Sequence, residues 1–227
     1  MGPFISFLKR CEIIRISTAP MNTYKKIELK LLKSGYTYVY GIDEVGVGCL
    51  AGPVVVCAAV VSEKFHTEIL GKFGDIQDSK KISSADRARL AKAIRKVKSF
   101  SYVLGYSYPK TIDRENIFRA TRTAMARAVK KLESRGLKNA VVLVDGPHRI
   151  QGVDLDQKPI VKGDEKVFAI ACASIIAKVY RDQMMDRYAK RFPGYGFEQH
   201  KGYSTKLHQT QLKKLGPCAI HRRSFRL

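Results

Sequence analysis

Apolar positions fall into short runs broken by glycine and proline, and their spacing changes along the chain. Tyr36 to Asp43 is rich in aromatic and β-branched residues and predicts a strand; Val54 to Val61, after the Gly52-Pro53 break, predicts a second, buried one. Ser99 to Tyr108 predicts a third. Ser83, followed three residues later by Asp86, reads as a capping box opening a helix to about Lys98, with Leu90, Ala93, Ile94 and Val97 as its apolar stripe. A longer helix is predicted from near Asp113 to Gly136, with Ile117, Phe118, Thr121, Ala124, Met125, Ala128, Val129 and Leu132 at helical spacing. Ala140 to Val144 is a continuous apolar run ending in Asp145-Gly146-Pro147, the pattern of a central parallel strand and a sharp turn. A polar loop follows, then a helix from Glu165 to Phe192 stopped by Pro193-Gly194. A last helix runs from Ser204 to Leu215.

Three strands in succession, then a helix and a fourth strand, describe an α/β protein. The expected sheet is mixed, with strands 1 to 3 as an antiparallel meander and strand 4 parallel to strand 1, flanked by helices. Residues 23–192 form the expected main domain, and 193–227 a helical region packed on it. Residues 1–22 read as an upstream extension, a mis-assigned start or a weak organelle-targeting peptide. Phe4-Ile5-Ser6-Phe7-Leu8 precedes Lys9-Arg10, the reverse of the order in a secretory signal, so a cytoplasmic location is expected. The longest runs without a polar side chain, Gly52 to Val61 and Val167 to Ala173, fall short of the roughly 18 to 20 residues a membrane span needs.

Charge narrows the function. The 227 residues carry 42 Lys plus Arg against 20 Asp plus Glu, a formal surplus of +22, which calls for an anionic partner: nucleic acid, an anionic membrane or an acidic protein. The basic residues are spread over several helices, which disfavours the membrane. From Tyr195 to Arg226 the chain interleaves Tyr195, Phe197, Tyr203 and Phe225 with Lys201, Lys206, Lys213, Lys214, Arg222, Arg223 and Arg226. Cations for phosphates and flat rings for sugars or bases make this a candidate nucleic-acid surface, with a basic solvated face over core aromatics as the plainer reading. The five cysteines form no C-x-x-C pair, so no structural zinc is expected.

Against that background the few acidic residues beside glycines at strand ends are informative. Asp43-Glu44 closes strand 1 ahead of Val45-Gly46-Val47-Gly48, Asp145 closes strand 4, and Asp164 stands in Lys162-Gly163-Asp164 before a helix. Asp145 alone reads more simply as a turn former and Asp164 as a helix N-cap. Asp43 and Glu44 are harder to set aside, because adjacent strand residues point to opposite faces and one must turn inward. Converging carboxylates in so basic a protein would need divalent cations between them, and oxygen-only ligation favours Mg²⁺ or Mn²⁺. Gly46, Gly48 and Gly52 allow close approach of a ligand, but turn formation is the better single reading of them. Asp78-Ser79-Lys80-Lys81 suits a phosphate, or is a solvated loop. Asp182 is expected to pair with Lys178 at i,i+4, and the histidines show no metal or nucleophile spacing.

Taken together, Gly-Ile-Asp-Glu-Val-Gly-Val-Gly (41–48), Leu-Ala-Gly-Pro-Val-Val (50–55), Asp-Ser-Lys-Lys (78–81), Val-Asp-Gly (144–146), Val-Lys-Gly-Asp (161–164), Ala-Ser-Ile-Ile-Ala-Lys-Val-x-Arg-Asp (173–182), Pro-Gly-Tyr-Gly-Phe (193–197), His-Lys-Gly-Tyr (200–203) and His-Arg-Arg-Ser-Phe (221–225) resemble ribonuclease HII. The similarity runs from about Tyr24 to Phe225. It implies an RNase H-like sheet with a C-terminal helical region. It also implies a metal-dependent endoribonuclease that cuts the RNA strand of RNA/DNA hybrids and incises 5′ of single ribonucleotides in duplex DNA, leaving 5′-phosphate and 3′-hydroxyl ends. Such an enzyme would serve ribonucleotide removal during replication and repair. Asp43, Glu44, Asp145 and Asp164 match the family's four acidic residues, which hold two Mg²⁺ or Mn²⁺ ions. Backbone amides in Gly46, Val47 and Gly48 can sense a 2′-hydroxyl, Ser79, Lys80 and Lys81 suit a phosphate, and in the family an aromatic ring matching Tyr203 stacks beside the ribonucleotide junction. The family usually has Gly-Arg-Gly where this chain has Gly46-Val47-Gly48, so weaker substrate binding or relaxed junction choice is expected. A single chain is expected to suffice. The rival readings are a binding protein on the same scaffold and a related metal-dependent DNA nuclease, separable by whether cutting needs a 2′-hydroxyl.

Overall fold

The computed structural model describes residues 22–69 and 83–225. The unbroken apolar run of the second predicted strand is explained at once: all eight residues of β2 (Val54–Val61) are buried, because helices cover both faces of the sheet. β1 (Tyr38–Val45) pairs antiparallel with β2, Val45 opposite Val55, and β2 pairs antiparallel with β3 (Ser101–Ser107). β4 (Ala140–Asp145) lies parallel to β1 on its other side. The meander and the parallel fourth strand are as the sequence predicts.

A fifth strand is new. β5 (Asp156–Ile160) runs parallel to β4 and completes the sheet order β3-β2-β1-β4-β5. The sequence there, Asp-Gln-Lys-Pro-Ile, reads as a polar loop because an edge strand needs neither alternation nor a full set of N–H donors, so Pro159 is tolerated. Gln157 anchors the preceding turn, accepting from the Ile150 N–H at 2.7 Å and donating to the carbonyls of Ile150 and Val153.

On one face pack α1 (Asn22–Lys33), α2 (Glu63–Glu68), α3 (Ser84–Arg95) and the long α6 (Phe168–Arg191), burying Val39, Val55, Phe65, Leu90, Ile94, Leu143 and Ile175. Ser83 caps α3 as its spacing predicts, accepting the Asp86 N–H at 3.1 Å. On the other face lie α4 (Pro109–Glu115) and α5 (Ile117–Glu133), over Tyr40, Ile42, Val56, Met125 and Val142. The single helix expected from Asp113 to Gly136 is two. Asn116 takes φ 65° between them, and its side chain accepts the Arg119 N–H at 3.0 Å, so one residue ends α4 and caps α5. Apolar spacing runs on through the break and conceals it.

The helix expected from Glu165 begins as a 3₁₀ turn, Gly163–Glu165, and α6 proper starts at Phe168. Asp164 is therefore not its N-cap. Buried Glu28 of α1 accepts the Ala169 N–H at 2.6 Å and satisfies one of the free donors of the first turn of α6. Packing of α6 on β1 is direct: a Cβ on Gly41 would lie 2.1 Å from the Ala169 carbonyl carbon. The two short helices α7 (Phe197–His200) and α8 (Lys206–Leu215) follow, with Ala51, Met185, Tyr195, Phe197 and Ile220 forming a small core of their own. Tyr195 and Phe197 are thus core residues and not part of an exposed aromatic surface. None of the described helices is long and apolar enough to cross a membrane.

Candidate active site

Strand alternation separates Asp43 from Glu44. Asp43 faces α6, where Ser174 hydrogen-bonds its carboxylate, and Glu44 faces α5, where the Arg122 guanidinium offsets its charge. The parallel β1–β4 pairing sets Asp145 at the same end of the sheet, and its Oδ1 accepts the Gly163 N–H at 2.7 Å. That bond spans 18 residues, so Asp145 tethers the turn bearing Asp164 rather than closing its own turn. Asp43, Glu44, Asp145 and Asp164 line one cavity of about 450 Å³, together with Gly46, Arg87, Ser174, Lys178 and Tyr203.

Burial holds the Asp43 carboxyl well above the usual carboxylate range, and the charges of Glu44 and Asp145 push it further. Glu44 is also raised, first by burial and then by Asp145, with Arg122 opposing. Among the described residues, no three acidic, imidazole or thiol side chains stand close enough to cage an ion as they are. The donor set nonetheless fits a hard divalent cation: four carboxylates on three different elements and mutual repulsion that a cation would relieve. Ser174 and Arg122 were not singled out by sequence; Ser174 and Lys178, one turn apart in Ala-Ser-Ile-Ile-Ala-Lys, were the available signal. Lys178 also makes its predicted pair with Asp182, at 2.8 Å.

The loop from Gly46 to Gly52 is held from behind by two buried guanidiniums. Arg222 donates to the carbonyls of Gly46 (2.6 Å), Val47 (2.7 Å) and Gly52 (3.0 and 3.1 Å), and Arg181 to those of Ala51 (3.1 Å), Pro53 (3.0 Å) and Lys201 (2.8 Å). Arg222, read from sequence as a surface cation for phosphate, is fully buried. Burial lowers its pKa only to about 10, so it stays charged at neutral pH. Gly46 is required: at φ 94° a Cβ would lie 2.1 Å from Arg181 Nε. Gly48 is different, since a Cβ there meets nothing within 4 Å, so only a ligand would press on it. Because the peptides are trans, carbonyls of Gly46 and Val47 turned inward direct the N–H groups of Val47 and Gly48 outward. Among the described residues neither N–H donates to a backbone carbonyl.

Tyr203 stands at the mouth, bridged to Cys49, with Lys178 and Arg181 at 5.5 and 5.6 Å from its ring. Its backbone rests on histidines. Tyr203 N–H donates to the His200 carbonyl at 2.9 Å, and its own carbonyl accepts from His208 Nδ1 at 2.8 Å. His221 Nδ1 accepts the Cys218 N–H, which leaves its Nε2–H to donate to His208 Nε2 at 3.1 Å. Every nitrogen of that pair is used with both rings neutral, and the rings of His200 and His208 stack at 4.2 Å. The histidines thus have a supporting role that sequence spacing concealed. Ser79, Lys80 and Lys81, with Asp78, lie outside the described residues, as does Arg226. Val47 is 37% exposed.

A mixed five-stranded sheet whose central strands carry carboxylates into one cavity defines a metal-dependent, hydrolytic endoribonuclease once the relatives are considered. The family model described as Ribonuclease HII matches residues 40–227, and the chain belongs to that family. It is 43% identical over 202 residues to the Ribonuclease HII of Caldicellulosiruptor saccharolyticus, covering 89% of this chain and 93% of that protein. The RNase HII solved in complex with PCNA from Archaeoglobus fulgidus superimposes with a TM-score of 0.68 at 28% identity, over 83% of this chain and 95% of that one. Bst-RNase HIII in complex with Mn²⁺ shares the fold, with a TM-score of 0.58 at 21% identity over 72% of this chain and 57% of that one.

Proposed function

We propose that this enzyme hydrolyses the RNA strand of RNA/DNA hybrids and incises 5′ of single ribonucleotides in duplex DNA, leaving 5′-phosphate and 3′-hydroxyl ends. Asp43, Glu44, Asp145 and Asp164 would hold two divalent ions, Mg²⁺ or Mn²⁺, which when bound would activate water and neutralise the leaving oxygen. The observation that carries the reading is the shared cavity of those four carboxylates, with Asp43 and Glu44 both raised by burial and by the charge of Asp145.

The chain's own residues do the positioning. Ser174 fixes the Asp43 carboxylate and the Gly163 N–H fixes that of Asp145, so both are oriented before an ion arrives. The outward N–H groups of Val47 and Gly48 suit recognition of a 2′-hydroxyl and its phosphate, with no side chain at Gly48 to obstruct approach. Tyr203 offers a flat ring to the neighbouring sugar. The region 193–227 belongs to the same working unit through Tyr203 and Arg222, and a single chain supplies every group named. Val47 supplies the amide but none of the forked donors of an arginine.

The test is incubation with Mg²⁺, then Mn²⁺, on duplex DNA containing one ribonucleotide, beside an all-DNA duplex and an Asp145→Asn control. Cutting confined to the 5′ side of the ribonucleotide and abolished by the substitution is expected. Cutting of the all-DNA duplex, or survival in the variant, would overturn the reading.

A further inference from the structure

Tyr203 and Lys178 serve the α6 face of the sheet end; the α5 face carries a second ring beside the same carboxylates. Phe118, in the first turn of α5, is 52% exposed. The Arg122 guanidinium that offsets Glu44 lies 5.3 Å from the centre of its ring. Arg122 also donates to the His148 carbonyl at 3.2 Å, and the His148 ring meets Phe118 edge-on at 5.4 Å and 89°. His148 stands three residues beyond Asp145. A single exposed phenyl is ordinary. This one is pinned by a cation and an imidazole that come from two elements of the site, and Arg119 adds a further charge one residue along the helix.

We propose that Phe118, set by Arg122 and His148, is a second platform for the nucleic-acid duplex, contacting its sugar–phosphate backbone on the side of the sheet opposite Tyr203. The chemistry is alike on both faces: Lys178 lies 5.5 Å from the Tyr203 ring and Arg122 5.3 Å from that of Phe118, each an apolar plane for a sugar beside positive charge. Glu44 fixes the direction, because it projects from β1 toward α5 while Asp43 projects toward α6, so a duplex whose scissile phosphate sits between them overhangs both faces. The proposal rests on the substrate reading above.

The experiment is a series of ribonucleotide-containing duplexes shortened stepwise from either end, assayed with the wild type, Phe118→Ala and Phe118→Tyr. On the longest duplex Phe118→Ala is expected to raise KM about tenfold with kcat unchanged, while Phe118→Tyr behaves as the wild type. On duplexes too short on one side to reach α5, the wild type should fall to the level of the alanine variant. Equal KM for wild type and Phe118→Ala at every length would overturn the platform, and so would a change in kcat alone. Should the wild type cut nothing, the substrate reading fails separately. Fluorescence anisotropy of the same duplexes without metal then decides the platform, with equal affinities of wild type and Phe118→Ala counting against it. Loss of binding to an unrelated protein but not to duplex would mark the patch as a protein contact and refute the proposal.

Discussion

The carboxylate cavity and the histidine-rich C-terminal region both bury ionisable groups, and they do so in opposite ways. Asp43 is buried and Glu44 half-buried, and burial raises both carboxyls, with the charge of Asp145 adding to each. His208 and His221 are buried in the neutral form, their pKa values lowered by burial, and between them each ring nitrogen has a partner. A cluster that is unfavourable by itself points to something it must bind. A cluster satisfied by itself points to something it must hold in place, here the backbone of Tyr203.

Neutralising the first region should have the largest effect. Asp43→Asn keeps an oxygen for Ser174 and for the Glu44 N–H but removes a buried charge. We expect kcat to fall at least about a thousandfold, as several kcal/mol of metal-mediated stabilisation are lost. In the metal-free protein the same change should raise Tm by a few degrees, about 2–4 °C per kcal/mol for a domain of this size. The sign follows from linkage. A carboxyl raised on folding contributes stability below its unfolded pKa of 3.8, lost as pH rises through the higher folded value, so metal-free wild type should weaken with rising pH and the variant less so. Thermal scans at several pH values, with and without Mg²⁺, check both; a lower Tm for the variant without metal would sink the charge argument.

The second region should respond oppositely and more gently. His221, lowered from 6.5 to about 4, contributes stability that is present above pH 6.5 and lost as pH falls toward 4. Replacing His208 separates support of Tyr203 from burial. Asn places a donor where Nδ1 stands and should preserve the bond to the Tyr203 carbonyl; Gln places one at Nε2 and should not. Junction preference is expected to be kept in His208→Asn and to fall about two- to tenfold in His208→Gln, the worth of one hydrogen bond. Equal preference in two variants of equal Tm would remove the positioning role. The smallest change should come from Val47→Arg, which adds forked donors at the 37% exposed rim. We expect KM to drop a few-fold with kcat unchanged, because a surface cation adds little at ordinary ionic strength; steady-state kinetics at two salt concentrations reads this directly.

Much of the fold was legible because its signals are local. β1, β2 and β4 are apolar runs bounded by turn residues, and the Ser83 cap needs only three residues of context. β5 was missed because an edge strand is specified by the neighbour that pairs with it, and the α4–α5 break because Asn116 changes backbone direction without disturbing the apolar spacing. In the site, Asp43 and Glu44 stood out as carboxylates at the end of a buried strand. Asp145 and Asp164 had plainer local readings that only the bond from Gly163 to Asp145 resolves. Arg222 and Tyr195 were placed on a surface by composition and proved to be buried.

The sequence by itself determined the strands, their meander, the acidic residues and the likeness to ribonuclease HII, since hydrophobic period, turn chemistry and motif order are written in neighbouring residues. Only the tertiary structure decided which face each carboxylate serves, that two arginines clamp the glycine loop through its carbonyls, and that three histidines stand under Tyr203. Those facts depend on contacts across as many as 176 residues, as from Arg222 to Gly46. Side chains that bond to backbone leave no pattern in sequence, because a carbonyl is offered by every residue alike.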